Sequence, residues 1–143
     1  MSEYIIETHN LTKRYGNQVS VSNLNIHVKQ GRIYGLLGRN GAGKTTTMRM
    51  LLGLTAPTSG EVKIFGRPMQ GNENKILPRI GCLIESPGFY PNLTATENLR
   101  IFAELRGINK PNYIKGALEL VNLPYRDKKL FSEYSLGMKQ RLA

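Results

Sequence analysis

Eight consecutive residues have the types and spacing to hold a phosphate chain. In Gly38-Arg39-Asn40-Gly41-Ala42-Gly43-Lys44-Thr45, a glycine is followed by four residues and then Gly-Lys-Thr. Glycines let the backbone curl until successive N–H groups point at one anion. A helix opening directly behind them adds the positive end of its dipole. Lys44 supplies a point charge for the β and γ phosphates of a nucleotide, and the Thr45 hydroxyl is placed to ligate Mg²⁺. The candidate nucleotide contacts are therefore Gly38, Arg39, Asn40, Gly41, Ala42, Gly43, Lys44, Thr45 and Thr46, with Thr45 also a metal ligand.

Such a loop works only between a buried strand and a helix, and the flanking sequence supplies both patterns. Ile33-Tyr34-Gly35-Leu36-Leu37 is a short, nearly continuous apolar run, as expected of a strand buried on both faces in a parallel sheet. A helix is predicted from Gly43 to about Leu54, with Met48, Leu51 and Leu52 on one side. Tyr4-Ile5-Ile6 reads as a strand, and Val19 to Val28 alternates as a half-buried one. Ala56-Pro57-Thr58-Ser59-Gly60 is a turn cluster, followed by a strand over Glu61–Phe65 that Gly66 closes. Ile80-Gly81-Cys82-Leu83-Ile84 is a second candidate for a buried strand, which makes Cys82 a core thiol.

The second half reads as helical. Thr94-Ala95-Thr96-Glu97 is a capping box opening a helix with Leu99, Phe102 and Leu105 inward, and Gly107 stops it. Pro111 suits the first turn of a helix whose apolar positions are Ile114, Ala117, Leu118 and Val121; Pro124 follows its end. Ser135 has the features of an N-cap for a last helix.

Composition narrows the class. The 143 residues are 40% hydrophobic and 21% charged, as in a globular domain. No apolar run approaches the roughly 18 residues of a bilayer span, and Met1-Ser2-Glu3-Tyr4 has no signal-peptide character. These features predict a soluble, cytosolic chain. One cysteine, Cys82, excludes an internal disulfide or a cysteine-based metal site. The net charge of +10 is spread evenly: residues 1–60 hold seven basic and two acidic side chains, residues 61–143 hold 13 and eight. Diffuse charge favours anions, but it has no basic block of the kind that marks nucleic-acid arms. His9 and His27 have no partners at metal-ligand spacing, and Gly31-Arg32 reads as a turn.

Three further segments make the reading specific: Lys13-Arg14-Tyr15-Gly16, then Pro87-Gly88-Phe89-Tyr90-Pro91-Asn92-Leu93-Thr94 with Glu97-Asn98-Leu99, then Tyr134-Ser135-Leu136-Gly137-Met138-Lys139-Gln140-Arg141. In this order they resemble the aromatic loop, the segment after the glutamine loop and the signature motif of an ABC-type ATPase. The resemblance runs over residues 3–143 and is to the N-terminal portion of an ABC transporter's nucleotide-binding subunit, of the bacitracin or lantibiotic resistance and immunity type. It implies an α/β fold: a P-loop core with a mostly parallel sheet, a small N-terminal antiparallel part and a helical subdomain. The expected divisions are a β-rich P-loop core over residues 1–92, a helical part over 93–135 and the start of the signature helix over 135–143.

The resemblance also implies roles. Tyr15 would stack on adenine, and Ser135 and Gly137 would contact the γ-phosphate of ATP held by the opposite subunit of a homodimer. The helical part would dock to a transmembrane permease, which makes the protein cytoplasmic and peripheral on the inner face of the membrane. Glu85 stands where most relatives have a glutamine that reaches Mg²⁺ and the attacking water. A carboxylate can still ligate Mg²⁺, which prefers oxygen donors. Leu136 and Met138 replace the commoner glycine and glutamine of the signature.

Phosphoryl transfer needs a metal-holding acid and a group that orients water. The one aspartate, Asp127 in Pro124-Tyr125-Arg126-Asp127-Lys128-Lys129, is in no apolar strand. The catalytic glutamate and switch histidine of the resembled family lie beyond its signature motif. The chain is therefore expected to be a fragment that binds Mg-ATP with little or no turnover, and to be unstable or self-associating by itself. Two alternatives from other classes are a soluble ABC-type ATPase acting on nucleic acid or in translation, and a non-catalytic regulatory module.

Overall fold

The structure, a computed structural model, describes residues 3–84, 88–108 and 110–143. The chain divides into two compact units, Met1–Cys82 and Leu83–Ala143. No helix among the described residues is long and apolar enough to cross a membrane.

The first unit is built on one long strand, β1 (Tyr4–Tyr15), which reaches far past the short apolar run at its start. Its N-terminal half pairs antiparallel with β3 (His27–Lys29) and β4 (Ser59–Ile64), and its C-terminal half with β2 (Gln18–Leu24). Register shifts near Leu11 and Lys13 let one strand serve both sets of partners. A two-residue strand, β5 (Arg67–Pro68), adds to β4. Two asparagines, Asn10 and Asn23, take the left-handed backbone that these irregularities require. Buried Thr8 spans the gap between β2 and β3, its hydroxyl donating to the Leu24 carbonyl (2.9 Å) and accepting from the Ile26 amide (2.8 Å). Helix α1 (Lys44–Leu51) and the short α2 (Glu73–Ile76) complete the core, which joins Leu11, Val21, Met50, Val62, Ile64, Met69 and Ile76.

Two segments differ from expectation. Ile33–Leu37 and Ile80–Ile84 form no strand, and every ladder among the described residues is antiparallel. A strand buried on both faces needs hydrogen-bonding neighbours and a covering layer. None of the described strands offers these segments a ladder. Ile33 and Leu37 are accordingly almost fully exposed, at 104% and 93%. Cys82 is an exposed thiol and not a core one. Helix α1 is also shorter than predicted: it buries Thr47 and Met50, while Met48 faces outward.

The second unit is helical as expected. It contains α3 (Ala95–Leu105), α4 (Pro111–Leu120) and α5 (Leu136–Leu142), with a 3₁₀ turn at Phe131–Glu133. Ala95, Leu118, Leu123, Phe131, Tyr134 and Leu142 form its core, with Phe89, Leu99, Ile114 and Val121 packed against them. Of the predicted inward stripe of α3, Leu99 packs on this core and Phe102 lies edge-on to Phe89 (ring centroids 5.3 Å apart), but Leu105 departs from it. Leu105 is 79% exposed, and the buried positions are Ala95, Thr96 and Asn98. Asn98 turns inward onto main-chain groups of the Tyr90–Thr94 segment. Arg141 of α5 donates to the Val121 and Asn122 carbonyls (3.2 and 3.0 Å), satisfying the open C-terminal end of α4.

Candidate functional site

The phosphate-binding candidates form a tight turn that runs straight into α1. The Ala42 amide donates to the Arg39 carbonyl (3.1 Å), closing the turn over Asn40 and Gly41. Gly43 immediately precedes the helix in a left-handed conformation, with φ of 82°. A Cβ there would stand 2.2 Å from the Ser20 carbonyl oxygen and 2.9 Å from Val21 Cγ2, so only glycine lets the loop lie against β2. Thr47 locks the other side of this position: its amide and its hydroxyl both donate to the Gly43 carbonyl (2.8 and 2.9 Å).

Half-buried Lys44 folds back over the loop. Its ammonium donates to the Gly38 carbonyl at 2.6 Å and the Arg39 carbonyl at 2.8 Å. An ammonium has three donors, and the third has no protein partner among the described residues. A fixed cation with a donor to spare, a curled backbone and a following helix together suit a polyphosphate. Thr45 is exposed on the first turn of α1 and Thr46 is half-buried. No group of three His, Cys, Asp or Glu side chains among the described residues could hold a metal.

Tyr15 ends β1 opposite Gln18, at the tip of the hairpin whose second strand Gly43 touches. Its ring is 49% exposed, and the Lys13 ammonium lies 5.0 Å from the ring centroid. Lys13 is held there by donating to the Ala56 carbonyl (2.7 Å). Backbone contact between β2 and the loop thus brings the hairpin that ends in Tyr15 alongside the phosphate loop.

In the second unit, Ser135 is the N-cap of α5 and accepts from the Met138 amide (3.3 Å). Exposed Gly137 has open space where a Cβ would stand. Just before them, Tyr134 is buried, and its hydroxyl has no hydrogen-bond partner among the described residues. Burial, and secondarily the charge of Asp127, pushes this phenol above its usual value. Asp127 itself accepts from the Lys129 amide (3.1 Å) in a turn. Glu85 lies outside the described residues.

The sequence reading includes Asn98 in the Glu97-Asn98-Leu99 segment but gives it no role of its own. It is completely buried. Its Oδ1 accepts from the Tyr90 amide (2.8 Å), and its Nδ2 lies within hydrogen-bonding distance of the Tyr90, Leu93 and Thr94 carbonyls (3.1, 3.3 and 3.1 Å). The capping box beside it is complete: Glu97 accepts from the Thr94 amide and hydroxyl, both at 2.8 Å, and the Glu97 amide donates to Thr94 Oγ1. The Thr94 amide, more than any other group, holds the Glu97 carboxyl below its usual value.

A glycine-rich loop running into α1 on an α/β scaffold defines a P-loop NTPase fold. Solved structures share it. The ATP-binding subunit of an ABC transporter is similar with a TM-score of 0.82 and 28% identity, over 96% of this chain and 59% of that one. A dimeric ATP-binding cassette in a post-hydrolysis state with ADP and Pi, 24% identical, has the same fold with a TM-score of 0.79 over 96% of this chain and 66% of that one. The family model described as ABC transporter matches residues 21–143. The chain belongs to the ABC transporter family. It is 62% identical over 138 residues to the bacitracin transport ATP-binding protein BcrA of Bacillus licheniformis, covering 96% of this chain and 45% of that protein. The lantibiotic transport ATP-binding protein SrtF of Streptococcus pyogenes is 37% identical, with 96% of this chain and 58% of that protein covered. The chain thus spans about half the length of the curated relatives it matches.

Proposed function

We propose that these residues form the nucleotide-holding part of an ABC transporter's ATP-binding subunit, which couples ATP binding and hydrolysis to export of a peptide antibiotic or similar amphiphile. The observation that carries the reading is the Lys44 ammonium, fixed on the Gly38 and Arg39 carbonyls with a donor left over. Relatives named for bacitracin and lantibiotic transport support the choice of cargo. The backbone amides of residues 41–46 and the Lys44 ammonium would hold the β and γ phosphates of ATP. Tyr15 would offer the uncovered face of its ring to adenine, with Lys13 at the other face. Thr45, together with Glu85, would ligate Mg²⁺, which offsets phosphate charge when bound.

Ser135 and Gly137 would meet the γ-phosphate held by a second copy of the subunit, since a hydroxyl and free amides at a helix start suit an anion. A transmembrane permease would anchor the dimer on the cytoplasmic face of the membrane. The 143 residues themselves would bind Mg-ATP with little turnover, because their one aspartate, Asp127, lies in no apolar strand that could present it to a metal. The basic residues divide evenly between the two halves of the sequence and form no basic block, which argues against a nucleic-acid partner.

Calorimetry of Mg-ATP binding to this chain, beside Lys44→Ala, tests the reading. Binding that Lys44→Ala abolishes is expected. A folded chain that binds equally well with and without Lys44, or a longer chain that binds no Mg-ATP at all, would sink it.

A further inference from the structure

The carbonyl oxygen of Leu93 receives two donors. One is Asn98 Nδ2 at 3.3 Å, and the other is the Phe131 amide at 2.8 Å. One oxygen therefore joins a fully buried side chain of α3 to the segment that leads into Ser135. Neighbouring bonds extend the same connection. The Ser132 amide donates to the Pro91 carbonyl (2.9 Å), and a β-bridge pairs Thr94 with Leu130. The Tyr134 amide then donates to the Phe131 carbonyl (3.2 Å), and the next residue is Ser135. On the other side of the node, Asn98 holds both the amide and the carbonyl of Tyr90.

We propose that Asn98 is a positioning residue: through Leu93 it fixes Phe131, and hence Ser135, to the Tyr90–Thr94 segment so that the two move as one piece. A side-chain amide suits the task because it offers an acceptor and two donors in one plane, and here both edges are engaged by main chain. Nothing in packing requires a polar group at this position. Its helix neighbours Ala95 and Leu99 belong to an apolar core. An uncompensated amide would be costly to bury, and Asn98 is tolerated because main-chain groups of the Tyr90–Thr94 segment engage both edges of its amide. The inference rests on the proposed role of Ser135.

The test uses the intact ATP-binding subunit in its assembled transporter, with Asn98→Asp, Asn98→Leu, Ser135→Ala and each double variant. Asn98→Asp keeps the acceptor for Tyr90 but sets an oxygen against three carbonyls. Mg-ATP affinity should stay within about twofold of wild type, because Lys44 and its loop belong to the other unit, while kcat falls at least about tenfold. The Asn98→Asp/Ser135→Ala double variant should be no slower than Ser135→Ala, the non-additivity of residues acting through one another. Multiplicative losses, or unchanged kcat in a folded Asn98→Asp protein, would overturn the proposal while leaving the Ser135 reading intact. Unchanged kcat in Ser135→Ala would remove that reading and the proposal with it. Where the Asn98 variants do not fold, hydrogen exchange of the wild-type protein decides. The Tyr90, Phe131 and Ser132 amides should change protection together when Mg-ATP is added; a change at Phe131 and Ser132 without Tyr90 overturns the proposal.

Discussion

Gly43 and Ser20 are in backbone contact: a Cβ on the glycine would stand 2.2 Å from the serine carbonyl oxygen. The phosphate loop therefore takes its place from β2 as well as from α1. Because the N-terminus of α1 begins at Gly43, a shift there would turn the amides of Lys44 and Thr45 away from a bound phosphate.

Two glycines of the loop share the same φ of 82° but differ in surroundings, since Gly41 has nothing within 4 Å of a built Cβ. Gly41→Ala should cost about 1–2 kcal/mol, the penalty of a left-handed alanine. Gly43→Ala carries that penalty and a further cost of about 1–3 kcal/mol for forcing the backbone off β2. Urea midpoints of the two variants measure the difference. Equal midpoints would mean that the loop does not lie on β2 in solution.

The Glu97 carboxyl is held below its ordinary value by the Thr94 amide and hydroxyl. A folded pKa below the unfolded one gives stability that is complete above the unfolded value, near 4.5, and is lost as pH falls through the folded value. Glu97→Gln should therefore melt below wild type at pH 7, and the gap should close below about pH 4. A gap independent of pH would assign the effect to helix propensity and not to the charged cap.

Tyr134 buries a hydroxyl without a partner among the described residues, which ordinarily costs about 1–3 kcal/mol. Tyr134→Phe should consequently be neutral or stabilising by up to about 1 kcal/mol, since the ring and its contact with Phe131 remain. Alkaline titration gives an independent check. The folded phenol titrates above its usual 10.0, so wild type loses stability as pH rises past that value toward the folded one, and Tyr134→Phe lacks this loss. A destabilisation above about 1 kcal/mol at neutral pH would show that the hydroxyl has a partner in solution.

Much of this architecture could be read from local signals. Gly-x-x-x-x-Gly-Lys-Thr specifies its own loop because each residue type answers a local demand, and the same holds for the Thr94–Glu97 box, the Ser135 cap and the stop at Gly107. Long-range requirements were not legible. The apolar run at Ile33–Leu37 encodes burial, yet burial needs partner strands that the described residues do not supply. Val19 and Val21 look alike in sequence, but only Val21 faces the core and α1. Asn98 interrupts the apolar stripe of α3 and would pass for a solvent-facing residue. Its burial goes with a set of main-chain partners in the Tyr90–Thr94 segment several residues upstream, which no periodicity records.

The exposed run from Ile33 to Leu37 gives the 143-residue chain a surface that water disfavours. Ile33, Tyr34 and Leu37 are all exposed, and no ladder among the described residues engages the backbone between them. Burying one such aliphatic side chain is worth about 1.5–3 kcal/mol, and an unpaired extended segment is a route to association between chains. The isolated chain should therefore self-associate at micromolar concentration. Replacing Ile33 and Leu37 with lysine should raise the concentration at which sedimentation detects dimers by at least about tenfold. A wild-type chain that sediments as a monomer throughout, with a sharp and reversible melt, would mean that this run is covered within a single molecule.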